Sequence, residues 1–93
     1  MIGSIVRYAS RKEVRDAILD ELSTYDREEF LDAYGEPLEE AVKRYLTALF
    51  EILSENVDYV VIIDKNIREI DSVDDFINLF YNEALDIAKE YLT

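Results

Sequence analysis

Apolar residues recur along the chain with two periods, and the switches between them mark out its elements. Residues 2–9, Ile-Gly-Ser-Ile-Val-Arg-Tyr-Ala, are short, β-branched and aromatic, the composition of a strand. From Ser10 the spacing lengthens, and Val14, Ala17, Ile18 and Leu22 share one helical face opposite Lys12, Arg15 and Asp16. Ser10 with Glu13 makes a capping box, in which each side chain satisfies a free backbone N–H at the helix start. Asp26 and Glu29 repeat the device before Phe30, Leu31, Ala33 and Tyr34, so a second, short helix is expected there. Gly35 is its expected stop, because glycine takes a positive φ without steric penalty. Pro37 suits the first position of a third helix, where an N–H is not needed.

Leu38, Ala41, Val42, Tyr45, Leu46, Leu49, Ile52 and Leu53 then form a long amphipathic stripe. Glu39–Lys43 and Glu40–Arg44 are i,i+4 pairs in the favourable order, each worth roughly 0.2–0.5 kcal/mol. Residues 57–63, Val-Asp-Tyr-Val-Val-Ile-Ile, change character. Their consecutive β-branched residues do not alternate with polar ones, which predicts a strand covered on both faces. Asp64-Lys65-Asn66 has turn chemistry, and residues 67–70 are expected to return as the second strand of a hairpin. Ser72 and Asp75 imitate a capping box at the head of a closing helix that runs to about residue 92.

That helix carries Val73, Phe76, Ile77, Phe80, Ala84, Ile87, Ala88 and Tyr91 on one face, widened by Tyr81, Leu85 and Leu92, with Leu79 alone toward the polar side. The arc exceeds the roughly 100° of a helix resting on one core. Such a helix either lies centrally under other elements or makes a homodimer contact through Leu79, Tyr81, Leu85 and Leu92.

The order β-α-α-α-β-β-α implies an α+β fold. A small antiparallel or mixed sheet, made from the N-terminal strand and the later hairpin, carries about four helices mainly on one face. A mostly helical bundle is the alternative. Residues 1–93 read as one acidic globular domain, with 49% hydrophobic and 34% charged residues.

Charge sharpens this picture. The net charge is −12 and unevenly spread: residues 1–15 balance to +3, 16–40 to −9, and the remainder to −6. Such an excess argues against binding nucleic acid directly or adhering to anionic membranes, both of which rely on Lys and Arg. No apolar run approaches the roughly 20 residues that cross a bilayer, and the N-terminus lacks the long apolar stretch of a signal peptide, so a cytoplasmic location is expected.

Candidate chemistry is sparse. There is no Cys and no His, which removes thiolate chemistry and the commonest general base and metal ligand. Asp64, Asn66 and Asp75 match three positions of a calcium loop, but Arg68 and Glu69 stand where a ligand and a glycine are required. None of the five serines lies in a nucleophile-elbow sequence, and two glycines do not make a phosphate-cradling loop. No catalytic residue, metal or cofactor is implied. Arg7, Arg11 and Arg15 could hold a phosphate or an acidic partner, but the plainer expectation is that they offset the carboxylates of residues 16–40.

The remaining feature is the acidic segment itself. Asp16, Asp20, Glu21, Asp26, Glu28, Glu29, Asp32, Glu36, Glu39 and Glu40 are a candidate partner-binding surface. Asp16 and Asp20, and likewise Glu28 and Asp32, are one helical turn of about 5.4 Å apart, near the phosphate repeat of a nucleic acid strand. Tyr25 and Tyr34 would suit anchors beside it. The expected function is therefore a non-enzymatic protein-binding module, an inhibitor or regulator that mimics nucleic acid toward a basic DNA- or RNA-binding protein. A structural homo-oligomer is the alternative.

Overall fold

The computed structural model describes residues 4–92. The chain runs β1 (Val6–Ser10), α1 (Arg11–Leu22), α2 (Arg27–Tyr34), α3 (Leu38–Leu53), β2 (Tyr59–Ile63), β3 (Ile67–Ile70) and α4 (Val73–Tyr91). This is the α+β order read from the periodicity, and the helical-bundle alternative does not describe it. The first strand begins at Val6, later than the apolar pattern suggests, and residues 2 and 3 of that expectation lie outside the described residues.

The sheet is mixed, in the order β1-β2-β3. β1 lies parallel to β2, with Ala9 beside Ile62, because the three helices between them bring the chain back to its starting end. β2 and β3 form an antiparallel hairpin around residues 64–66, with Ile63 opposite Ile67 and Val60 opposite Ile70. Ala9, Val60, Ile62 and Ile70 face the helices and join one core with Ile18, Phe50, Phe76 and Phe80.

β2 is buried on both sides over its middle, as its lack of alternation predicts: Val60, Val61 and Ile62 are 0%, 4% and 1% exposed. Val61 nevertheless stands outside the core cluster, between Tyr8 and Glu69 on the neighbouring strands, and Tyr8, Ile63 and Ile67 on its side of the sheet are exposed.

Capping settles the helix starts. The Oγ of Ser10 accepts from the Glu13 N–H, and the Oδ1 of Asp26 accepts from the Glu29 N–H, each with its reciprocal bond. At α4 the Ser72 Oγ accepts from the Asp75 N–H. Gly35 ends α2 with φ 87° and ψ 168°, a region open almost only to glycine. Pro37 stands one place earlier than expected, preceding the helix that begins at Leu38.

Of the expected ion pairs on α3, neither forms. Lys43 lies 3.8 Å from Glu40, while Arg44 Nη1 donates to the Tyr34 carbonyl at 2.8 Å. The guanidinium satisfies a free carbonyl at the negative end of α2, which is a better use of a cation than an exposed pair.

α4 is central. It packs on both α3 and α1, whereas α2 packs on α3. Leu92 is buried in the chain's own core, and Leu79, Tyr81 and Leu85 are partly buried against it. Ser10 is both the last residue of β1 and the cap of α1, so the sheet stands at one end of α1, while α2 follows from the other. The molecule is correspondingly long, 49 × 24 × 20 Å.

Candidate functional site

α1, α2 and the start of α3 carry the acidic segment, and amphipathic folding determines which way each carboxylate points. Ile18 and Leu22 are buried in α1, which leaves Asp16 and Asp20 on the outer side. Phe30 is the buried residue of α2, so Glu28 and Asp32 project from its opposite side. Leu38, Ala41 and Val42 anchor α3 and leave Glu39 and Glu40 exposed.

Glu28, Asp32 and Glu36 share one shallow depression beside Gly35. Glu36 and Glu39 line a second, with Arg27 and Lys89 interrupting the negative charge. Asp16 stands apart: Lys12 Nζ donates to it at 2.8 Å, and that hydrogen bond holds its carboxyl below the usual carboxylate value of 3.8. Glu40 is also paired, with Lys43. Among the described residues the other eight, Asp20, Glu21, Asp26, Glu28, Glu29, Asp32, Glu36 and Glu39, have no ion-pair partner, and all eight are exposed.

This end is held by an aromatic cluster. The Phe30 ring lies 5.7 Å from Tyr25, 5.0 Å from Tyr34 and 6.1 Å from Tyr45, centroid to centroid. Tyr34 and Tyr45 meet edge to face at 5.7 Å. Burial pushes the Tyr45 phenol well above its ordinary value, and the nearby Glu21 charge pushes the same way. Tyr34 shifts upward for the same leading reason, reinforced by Tyr25 and Glu21. Tyr25 and Tyr34 are only half-buried, so they border the acidic surface as well as supporting it.

Within the basic segment, Lys12 and Arg15 favour the charged form of Asp16 in line with expectation, but Arg11 departs from it. Arg11 does not offset residues 16–40; it reaches α4. Its Nε and Nη2 donate to Glu83, Nη2 donates to the Leu79 carbonyl at 3.1 Å, and Nη1 lies 3.8 Å from Asp64. The guanidinium also stacks 5.1 Å from the centre of the Phe80 ring. Arg11, Lys12 and Arg15 line a groove with Asp64, Glu83 and Asp86, so bases and acids alternate there. Leu79, read as lying toward the polar side, is the residue whose carbonyl this arginine grips. Pairing across 72 positions leaves no local signal in the sequence.

Among the described residues no group of three or more acidic side chains is arranged to hold a metal ion. Among the described residues no buried side-chain oxygen or nitrogen lacks a hydrogen-bond partner. No helix of the described residues is long and apolar enough to cross a membrane. The outer face of the sheet, with Tyr8, Ile63 and Ile67, is the surface that sequence patterning missed; the non-alternating run in β2 masked it. Comparison with protein-family models, with curated proteins and with solved structures found no match to this chain.

Proposed function

We propose that the chain is a protein-binding module, and that its acidic end docks on the basic groove of a DNA- or RNA-binding protein in place of the nucleic acid. The observation that carries this reading is the set of eight exposed carboxylates without ion pairs, spread over α1, α2 and the start of α3. Self-repulsion on this scale opposes folding, and a cationic partner relieves it. The aromatic cluster under Phe30 supports the reading as well, because a rigid display of charge loses less entropy on binding than a mobile one. Such a module acts by occupying a site, with no bond made or broken, and it inhibits or regulates its partner by excluding the nucleic acid.

The test compares the wild type with a variant carrying Glu28→Gln, Glu29→Gln, Asp32→Asn and Glu36→Gln. All four positions are exposed, and a glutamine at position 29 can still complete the capping box. Proteins captured from lysate by the wild type should be lost by the variant and released by competing duplex DNA or by salt. A partner retained equally by both forms and indifferent to DNA defeats the proposal.

A further inference from the structure

The groove between α1, the hairpin turn and α4 is a second surface, which the acidic reading does not use. Its volume is about 510 Å³, within the roughly 300–1,000 Å³ of small-molecule pockets. One wall is α1, which contributes Arg11, Lys12 and Arg15; the other is Asp64 of the turn with Glu83 and Asp86 of α4. Three bases are thus set against three acids, a local neutrality in a chain of net charge −12. Ile87, partly buried against the core, supplies apolar lining.

Two of the three bases are already engaged. Arg11 donates to Glu83 and to the Leu79 carbonyl, and Lys12 donates to Asp16. Arg15 stands one helical turn beyond Arg11, is exposed, and makes no ion pair among the described residues. On α4, Asp86 stands about one turn beyond Glu83, equally exposed and equally without an ion pair. Both Arg11 bonds to Glu83 end on Oε1, which leaves Oε2 free to accept. The walls are therefore joined by a closed rung at Arg11 and Glu83, and the next rung, Arg15 and Asp86, is open.

We propose that the open rung binds the two charged ends of a free α-amino acid, with an apolar side chain laid over Ile87. The Arg15 guanidinium offers parallel N–H donors, the arrangement that a carboxylate accepts. A phosphate dianion finds no second free base here, because Arg11 and Lys12 are taken. On the other wall Asp86 and Glu83 Oε2 accept from a primary ammonium, which has three donors to give. A lone anion or a lone cation satisfies one wall and leaves the other unmatched, whereas a dipolar ligand meets both. The Arg11–Glu83 rung fixes the walls beforehand, so less entropy is lost in ordering the site. The contacts are open to solvent, where ion pairs contribute little, so the Kd is set at about 1–10 mM.

Amide NMR spectra of the full chain, titrated with L-leucine to about 50 mM, test this. A zwitterion adds nothing to the ionic strength, so the titration is free of salt effects. Saturable shifts are expected at the amides of Arg15, Asp86 and Ile87 and not at those of Glu28 and Asp32 in the acidic end. N-acetyl-leucine lacks the ammonium and leucinamide lacks the carboxylate, and each should bind the groove at least about fivefold more weakly than leucine. Arg15→Gln and Asp86→Asn, both at exposed positions, should weaken leucine binding by a similar factor while the rest of the spectrum reports an intact fold. The absence of any saturable shift in the groove overturns the proposal. So does leucinamide, N-acetyl-leucine or inorganic phosphate that binds the groove as tightly as leucine, or a variant that binds leucine as the wild type does.

Discussion

At the α2 end, the aromatic rings turn inward around Phe30 and the surface is left mainly to carboxylates without ion-pair partners. At the sheet end the arrangement is reversed: Arg11 draws its charges into a network with Glu83 and Asp64, while Tyr8, Ile63 and Ile67 face solvent. The two ends share one core through α1, α3 and α4. The contrast teaches that a net charge of −12 is no uniform property of this chain. Arg11 joins Glu83 and Asp64 by long-range pairing where the sheet meets the helices, whereas the carboxylates of α2 and the start of α3 are, apart from Glu40, left without ion pairs for salt to screen.

If the ends are separable, damage at one should spare the other. Phe30→Ala removes the ring on which Tyr25, Tyr34 and Tyr45 converge, and truncating a fully buried phenylalanine costs about 3–5 kcal/mol. Amide hydrogen exchange should quicken across Arg27–Tyr34 while Val60 and Ile62 stay protected. Phe80→Ala, next to Arg11 and in the shared core, should instead release both ends together. Equal loss of protection at both ends in the Phe30 variant would mean that the molecule opens as one unit.

A smaller effect is expected at Gly35. Its backbone conformation disfavours any side chain, and a Cβ there would meet Arg44 Nη1 at 2.6 Å. Gly35→Ala should lower stability by about 1–3 kcal/mol, read by denaturant unfolding. A change within error would show that α2 and the Arg44 bond adjust without strain.

Alkaline pH should produce the gentlest loss, and again at the acidic end. The phenols of Tyr34 and Tyr45 are shifted upward from 10.0 in the fold, so the unfolded chain gives up these protons first. Their contribution to stability is complete below pH 10 and declines as pH rises above it. Phenolate absorbance should show both groups ionising late in the folded protein, and Tyr45→Phe should flatten the decline. An unchanged slope in that variant would place the pH sensitivity elsewhere.

What could be read from the sequence was local. Ser10 with Glu13, Asp26 with Glu29, Gly35 and the hairpin around residues 64–66 signal through neighbours within a few positions, and each stands where the pattern put it. Contacts between distant residues were hidden. Arg44 leaves its i,i+4 partner for the Tyr34 carbonyl because a helix end offers a stronger acceptor. Arg11 finds Glu83 only after α1 and α4 pack. The run Val60-Val61-Ile62 is buried on both faces, as its lack of alternation implies, but nothing local told that Val61 would lie outside the core shared with the helices or that Tyr8 and Ile67 beside it would be exposed. For the acidic segment, sequence gave the residues and the helices that carry them, but not the pairing of Asp16 and Glu40 that leaves eight unpaired.

Because Ser10 closes β1 and caps α1 at once, strand and helix are joined without slack. The rotational phase of α1 about its axis is thus locked to the plane of the sheet. One residue inserted after Ser10 would turn every later position of α1 by about 100°. Asp16 and Asp20 would then swing toward the core and Ile18 toward water. The compass bearing between the acidic end and the sheet face is therefore set by a joint of zero length, and it leaves no room for a hinge between them.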